Sequence, residues 1–207
     1  MKTLKESILS RSSHTGEGFK VQRREMIEKW LKKYNIKDYT INDDFTIDVD
    51  GFVYISNKNL KELPEYIQFG VVKSEFSCAE NRLISLKGCP KEVGASFYCY
   101  ENKLKSLEGA PEKVGGDFYC NYNDLISLEG APKEVRLNFL CDCNDLISLE
   151  GAPKKLGGNF YCDYNKLTTL KGAPKEIGGE FKCNKNSTQF TEDDVRKVCD
   201  VGGKITV

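Results

Sequence analysis

Nine cysteines and a single histidine are the side chains best suited to chemistry in this chain, and six of the thiols keep a fixed beat. Cys78, Cys99, Cys120, Cys141, Cys162 and Cys183 stand twenty-one residues apart. A stacked thiolate array could hold a soft metal ion. Such sites use Cys-x-x-Cys pairs and histidines, and the ladder has neither. An odd cysteine count also fits a disulfide framework poorly. The ladder is therefore expected to be reduced, apolar filler in a cytoplasmic protein. Off the ladder lie Cys89, Cys143 and Cys199. Cys143 should face outward beside Asp142, with no histidine placed to activate it. Asp44, Asp48, Asp50 and Gly51 suggest a calcium loop, but Thr46 and Asn57 stand where that pattern needs acids. A hairpin turn at Asp50-Gly51 is the better reading. His14 has no partner residues, and Gly16-Glu-Gly18 lacks the Gly-Lys-Ser/Thr of a phosphate loop. Enzyme activity, a cofactor and a metal are not expected.

The elements that carry these thiols share their period. Phe76, Phe97, Phe118, Phe139, Phe160 and Phe181 precede the cysteines by two residues, and Asn81, Asn102, Asn123, Asn144, Asn165 and Asn186 follow them by three. A period of this length means a stack of small units, each burying its apolar face only against its neighbours. In residues 94–114, Phe97 and Cys99 alternate with Ser96, Tyr98 and Tyr100, which is strand period. Phe and Cys should point into the coil and the intervening residues out. The asparagine can donate and accept along the stack where the chain leaves the strand. Leu104 and Leu107 return to the core, Gly109 and Pro111 forbid a helix, and Val114 closes the coil.

With Gly94, Phe97, Cys99, Asn102 and Leu104 in its places, the unit resembles the leucine-rich repeat, written LxxLxLxxNxL. The resemblance covers residues 53–188, and the SLEGAPEKVGG tail at 106–116 is similar to short bacterial or bacteriophage repeats of that superfamily. It implies a β-rich solenoid: a right-handed superhelix of about seven coils, counted from Val53 to Phe181, with a parallel sheet on the concave face. The first coil is irregular, with Lys58 where asparagine is expected, and Arg136-Leu137 replaces the Gly-Gly of neighbouring coils.

An apolar stack needs covered ends. Residues 1–20 are expected to be mobile. Residues 21–52 should form a helix, with Met26, Ile27, Trp30, Leu31 and Tyr34 on one face, and a β-hairpin. Residues 189–207 should form a C-terminal cap, with Thr191 opening a short helix, Phe190 and Val195 covering the last coil, and residues 204–207 adding a final strand.

Function should then lie on the surface. Thirty-one basic and thirty-one acidic residues cancel, so no bulk field attracts nucleic acid or anionic lipid, and no apolar run reaches the ~18 residues of a membrane span. On the outward side of the sheet, Tyr98, Tyr119, Leu140 and Tyr161 should form a ribbon with Tyr100, Tyr122 and Tyr164 close by. It should be edged by Glu101, Asp117, Asp142 and Asp163, with Glu75, Glu80 and Glu180 on the same face. Tyrosine is enriched in binding hot spots, and the acids favour a basic protein surface or peptide over nucleic acid. The leading expectation is a non-enzymatic protein-interaction module. One alternative is a bacteriophage virion-associated or cargo protein, because the MKTLKESIL start resembles segments that address such proteins to the capsid interior. Carbohydrate binding is another. Lys91, Lys133, Lys154, Lys155 and Lys175 should solubilise the rim after each proline.

Overall fold

The computed structural model describes residues 16–207; His14 and the nine-residue start lie outside that range. The repeat folds as a parallel β-solenoid of about eight turns. One sheet is continuous. It contains β3 (Val53–Tyr54), β5 (Phe76–Ser77), β7 (Phe97–Tyr98), β9 (Phe118–Tyr119), β11 (Phe139–Leu140), β13 (Phe160–Tyr161), β15 (Phe181–Lys182) and β17 (Ile205–Thr206). Register is set residue for residue: Phe97 pairs with Phe118, and Tyr98 with Tyr119. All seven partners in the Phe column before β17, Val53 included, are fully buried, as are the ladder cysteines Cys78, Cys99, Cys120, Cys141 and Cys162.

Buried rings hold this sheet together. Centroids of neighbouring phenylalanines from Phe76 to Phe181 lie 5.4, 5.5, 5.2, 5.7 and 5.4 Å apart. Each buried ring contributes about 1.5–3 kcal/mol of hydrophobic stabilisation. The asparagines supply the polar counterpart. Asn102 Nδ2 donates to the carbonyls of Cys78 (3.1 Å), Cys99 (3.2 Å) and Tyr100 (3.3 Å), while its Oδ1 accepts from the Leu83 amide (2.9 Å). The same set recurs at Asn123, Asn144, Asn165 and Asn186. Every coil thus ties two of its own carbonyls to a carbonyl and an amide of the coil before it, satisfying backbone groups at the buried corner.

A second set of strands runs along another side of the coil, where sequence reading places only a closing valine. β1 (Tyr39–Ile41), β2 (Ile47–Val49), β4 (Phe69–Val72), β6 (Glu92–Val93), β8 (Lys113–Val114) and β10 (Glu134–Val135) form one sheet. β12 (Lys155–Leu156), β14 (Glu176–Ile177) and β16 (Asp200–Val201) form another. In each repeat strand one apolar residue points in and a charged one points out. The lysines expected on a rim therefore flank or, for Lys155, belong to this side. In four coils two glycines, at 115–116, 157–158, 178–179 and 202–203, then turn the chain back to the Phe sheet. A Cβ on Gly115 would lie 2.1 Å from the Gly94 carbonyl oxygen, so adjacent coils approach there more closely than a side chain allows.

The ends are closed by other means. Helix α1 (Gly16–Lys33) starts five residues before Val21, so residues 16–20 belong to it. It buries Ile27, Trp30 and Leu31. Trp30 meets Phe69 at 6.2 Å and Phe69 meets Phe76 at 5.3 Å, which extends the aromatic column into the cap. The hairpin turns elsewhere than expected: β1 pairs antiparallel with β2, and the loop is Asn42–Thr46. Thr46 donates to Asp44 Oδ1 through its amide (3.0 Å) and hydroxyl (2.7 Å), and Asn42 Nδ2 donates to Asp48 Oδ2 (2.9 Å). Asp50-Gly51 is instead the corner where the chain passes from β2 to β3. At the far end Thr191 caps α2 (Glu192–Arg196) in a capping box with Asp194. Val195 and Phe190 are buried, and residues 205–206 pair with Phe181 and Lys182 as the last strand.

Candidate functional site

The outward side of the Phe sheet has columns set by position in the coil. The first runs Tyr54, Ser77, Tyr98, Tyr119, Leu140, Tyr161, Lys182 and Thr206, one residue after each buried Phe-column member. Tyr98 and Tyr119 meet edge to face at 5.4 Å, the geometry favoured by the ring quadrupole. Ser77 and Leu140 interrupt the column, and Lys182 ends its aromatic run with Nζ 4.3 Å from the Tyr161 ring centroid. Tyr98, Tyr119 and Tyr161 are half-buried.

Tyr100, Tyr122 and Tyr164 do not form one further column. Tyr100 shares its place in the coil with Asn121, Asp142 and Asp163, and lies 6.4 Å from Tyr98. Tyr122 and Tyr164 stand one residue later, at a corner held in the left-handed region with φ of 53° and 50°. Glu101 and Cys143 occupy the same corner, with φ of 51° and 55°. An L-residue pays about 1–2 kcal/mol for that conformation, and the asparagine that follows locks it. The turn swings Tyr122 and Tyr164 off the strand, leaving them 54% and 58% exposed.

Several acids expected to edge a binding face are used within the stack. Asp117 Oδ1 accepts from the Asn138 amide (3.1 Å) and side-chain Nδ2 (2.7 Å). Glu180 accepts from Tyr161 Oη (3.1 Å) and Thr206 Oγ1 (2.9 Å) and lies 3.7 Å from Lys182 Nζ. Burial would raise its pKa, but these donors outweigh that and hold it below the usual value. Glu75 accepts from Tyr54, whose hydroxyl is pushed up to about 12 by that bond. Glu80 accepts from Tyr100 at 3.4 Å.

Asp142 and Asp163 are different. They follow Leu140 and Tyr161, which pair in register on adjacent strands, so the two carboxyls are neighbours on the outward side. One oxygen of each is buried without a hydrogen-bond partner among the described residues, and so is the Asn121 carboxamide oxygen one coil earlier. Burial, followed by the Asp142 charge, pushes Asp163 up to about 6, and burial raises Asp142 as well.

The thiols carry little chemistry. All nine are free. Burial drives Cys120, Cys141 and Cys162 well above the usual thiol range, and each Sγ donates to a carbonyl of the next coil at 3.2–3.3 Å. Cys143 sits at the exposed corner, yet partial burial raises it too, so it is no activated nucleophile. Among the described residues no group of three or more His, Cys, Asp or Glu is placed to hold a metal, and no helix is long and apolar enough to cross a membrane.

A rival surface is the shallow groove on the outward side of the second sheet, lined by Lys113, Lys133, Arg136, Lys154 and Lys155 with Glu92 and Glu134. Its outward column runs Glu92, Lys113, Glu134, Lys155, Glu176, alternating in sign. Lys133 pairs with Glu112, and Lys155 with Glu176. The lining nonetheless stays net basic, with Lys113, Arg136 and Lys154 in no ion pair among the described residues, so this surface suits an acidic partner and not a basic one. No family profile matches the chain, and neither the curated proteins nor the solved structures searched contain a match to it.

Proposed function

We propose that this protein is a non-enzymatic binding module whose outward Phe-sheet face, carrying Tyr98, Tyr119 and Tyr161, docks a basic protein surface or peptide. The observation that carries the reading is a contrast in charge use. Other acids on this face, such as Asp117 and Glu180, accept from neighbouring coils, whereas Asp142 and Asp163 lie beside half-buried tyrosines with one buried carboxyl oxygen each that nothing among the described residues satisfies. Aromatic rings with polar tips supply contact area at low ordering cost, and unpaired acids select a cationic partner. The asparagine ladder and the Leu104/Leu107 arc support assigning the coil to the leucine-rich-repeat superfamily as a short variant. The unpaired buried thiols support a reducing compartment such as the cytoplasm.

Fluorescence anisotropy of a labelled dodecapeptide of mixed Lys and Arg, against an acidic dodecapeptide, tests the reading. Wild type should bind the basic probe alone. The Tyr98→Ser/Tyr119→Ser/Tyr161→Ser variant, with unchanged circular dichroism, should bind it at least about tenfold more weakly, as the loss of aromatic hot spots implies. Equal binding by variant and wild type would remove this face from consideration.

A further inference from the structure

Most charged groups on the outward face have an internal partner; the Asn121–Asp142–Asp163 run does not. Three consecutive coils each place a side-chain oxygen in the same column, and in each an oxygen is buried without a donor among the described residues. Asp163 as a whole residue is only 9% exposed. Unmet buried acceptors are costly, more so when charged. Two like charges on neighbouring strands, about 4.8 Å apart, add repulsion. At another position of the coil such oxygens are met internally: the Asn138 and Asn159 carboxamide oxygens each accept from the next coil's amide at 2.7 Å. In this column even the asparagine, Asn121, finds no such donor, so the column offers unmet oxygens whichever side chain carries them.

We infer that Asp142 and Asp163, with the Asn121 carboxamide oxygen, form a cradle for a guanidinium group, so that the docked partner presents an arginine. The inference rests on the basic-partner reading above and names the side chain that reading requires. A guanidinium is planar, with five donors in a fixed fork, and can give one edge to each of two carboxylates on adjacent strands. An ammonium is a point charge and satisfies one carboxylate well. Rings flank the cradle: Tyr161 in the adjoining column, and Tyr122 and Tyr164 at the exposed corner. Arginine stacks on such faces while its edge donates. The chain already shows a cation held in this setting, for Lys182 Nζ lies over the Tyr161 ring within 3.7 Å of Glu180. The cradle lies outside the Phe–Cys core, since Cys141 and Cys162 point inward and the aspartates after them point out. A ligand therefore reaches the oxygens by displacing outward side chains and leaves the stack intact.

The test is a titration of labelled hexa-arginine and hexa-lysine into wild type and into Asp142→Asn/Asp163→Asn, at pH 7.5 and two salt concentrations. Wild type should prefer hexa-arginine by about tenfold, the scale on which bidentate charged contacts discriminate. The double variant should lose that preference while melting at the same or a higher temperature. Equal wild-type affinity for both peptides, lost together in the variant, would leave the basic-partner reading standing and overturn the guanidinium cradle. Unchanged hexa-arginine binding by a variant of higher melting temperature would also overturn it, marking the pair as a carboxyl–carboxylate contact sharing a proton. No binding of either peptide to wild type would overturn both readings.

Discussion

The two sides of the solenoid are built from the same coils and differ in continuity. The Phe sheet runs through eight strands without a gap, while the second sheet is divided between β10 and β12. The first has two ladders of identical side chains: rings in contact at 5.2–5.7 Å and asparagines crossing every coil boundary. The second has one buried aliphatic residue per coil and a backbone approach that depends on glycine. Its gap follows the coil in which Arg136-Leu137 replaces Gly-Gly. The Gly158 amide keeps the repeat's bond to the Leu137 carbonyl at 3.0 Å, while the Gly157 amide shifts by one residue, to the Arg136 carbonyl at 3.0 Å where its equivalents bond the buried aliphatic residue. The bond corresponding to Lys133 N to Glu112 O is, however, missing from the next coil, between Lys154 and Lys133. Repeating identical side chains makes a stack tolerant of local change; repeating the absence of side chains does not.

The largest expected effect follows from removing one ladder member on the continuous side. Asn144→Ala leaves the Leu125 amide and the carbonyls of Cys120, Cys141 and Asp142 without a side-chain partner. Buried unmet polar groups cost about 1–3 kcal/mol each, so urea unfolding should show a loss of about 3 kcal/mol or more. Val135→Ala on the second sheet deletes only apolar volume and should cost about 2 kcal/mol or less. A larger loss for Val135→Ala would refute the ranking of the two sides.

How far the sequence led follows the same division. The Phe sheet was readable because Phe-x-Cys has strand period and its neighbours repeat it in register. The second sheet was not, because each repeat strand from β6 to β14 is only a charged residue and one valine, leucine or isoleucine soon after a proline, too short to show alternation. Tyr98, Tyr119 and Tyr161 fall where alternation places them. Tyr122 and Tyr164 do not, because left-handed corners usually announce themselves as glycine or asparagine, and here the next residue, Asn123 or Asn165, holds the turn. Asp117 was expected at a binding face; its partner is Asn138, and that pairing depends on the contact between coils, which spacing alone does not reveal. The Asp50-Gly51 signal marks a real turn of the chain, but between sheets and not between hairpin strands.

An intermediate effect should come from the unpaired acids on the otherwise satisfied side. Asp163 has a folded pKa of about 6 against an ordinary value of 3.8, because burial and then Asp142 disfavour its charge. Between those values the folded state binds more protons than the unfolded one, so stability falls as pH rises through that window. Melting temperature should therefore increase from pH 7 to pH 5, by an amount corresponding to about 1 kcal/mol or less after allowing for partial solvent access. Asp194, lowered to about 2 chiefly by Thr191, acts in the opposite sense, and its contribution is lost only below its ordinary value. Asp163→Asn should flatten the profile between pH 7 and pH 5. An unaltered slope would mean that Asp163 is not the group responsible.

The smallest effect concerns the gap itself. If the side chains at 136 and 137 hold adjacent coils apart, Arg136→Gly/Leu137→Gly should let the Lys154–Lys155 backbone close onto Lys133–Glu134. Leu137 is 44% exposed, so removing it sacrifices little apolar burial. Added glycine freedom in the unfolded chain opposes the gain by about 0.5–1 kcal/mol per residue, leaving a net stability change within about 1 kcal/mol of zero. The informative readout is therefore local: hydrogen exchange at the amides of residues 154–156, which report whether the missing bonds have formed. Slower exchange there, with no change in the Phe sheet, would tie the discontinuity to those two side chains. Unchanged exchange would place its origin in the twist of the coils, with Arg136 and Leu137 occupying space that the twist had already opened.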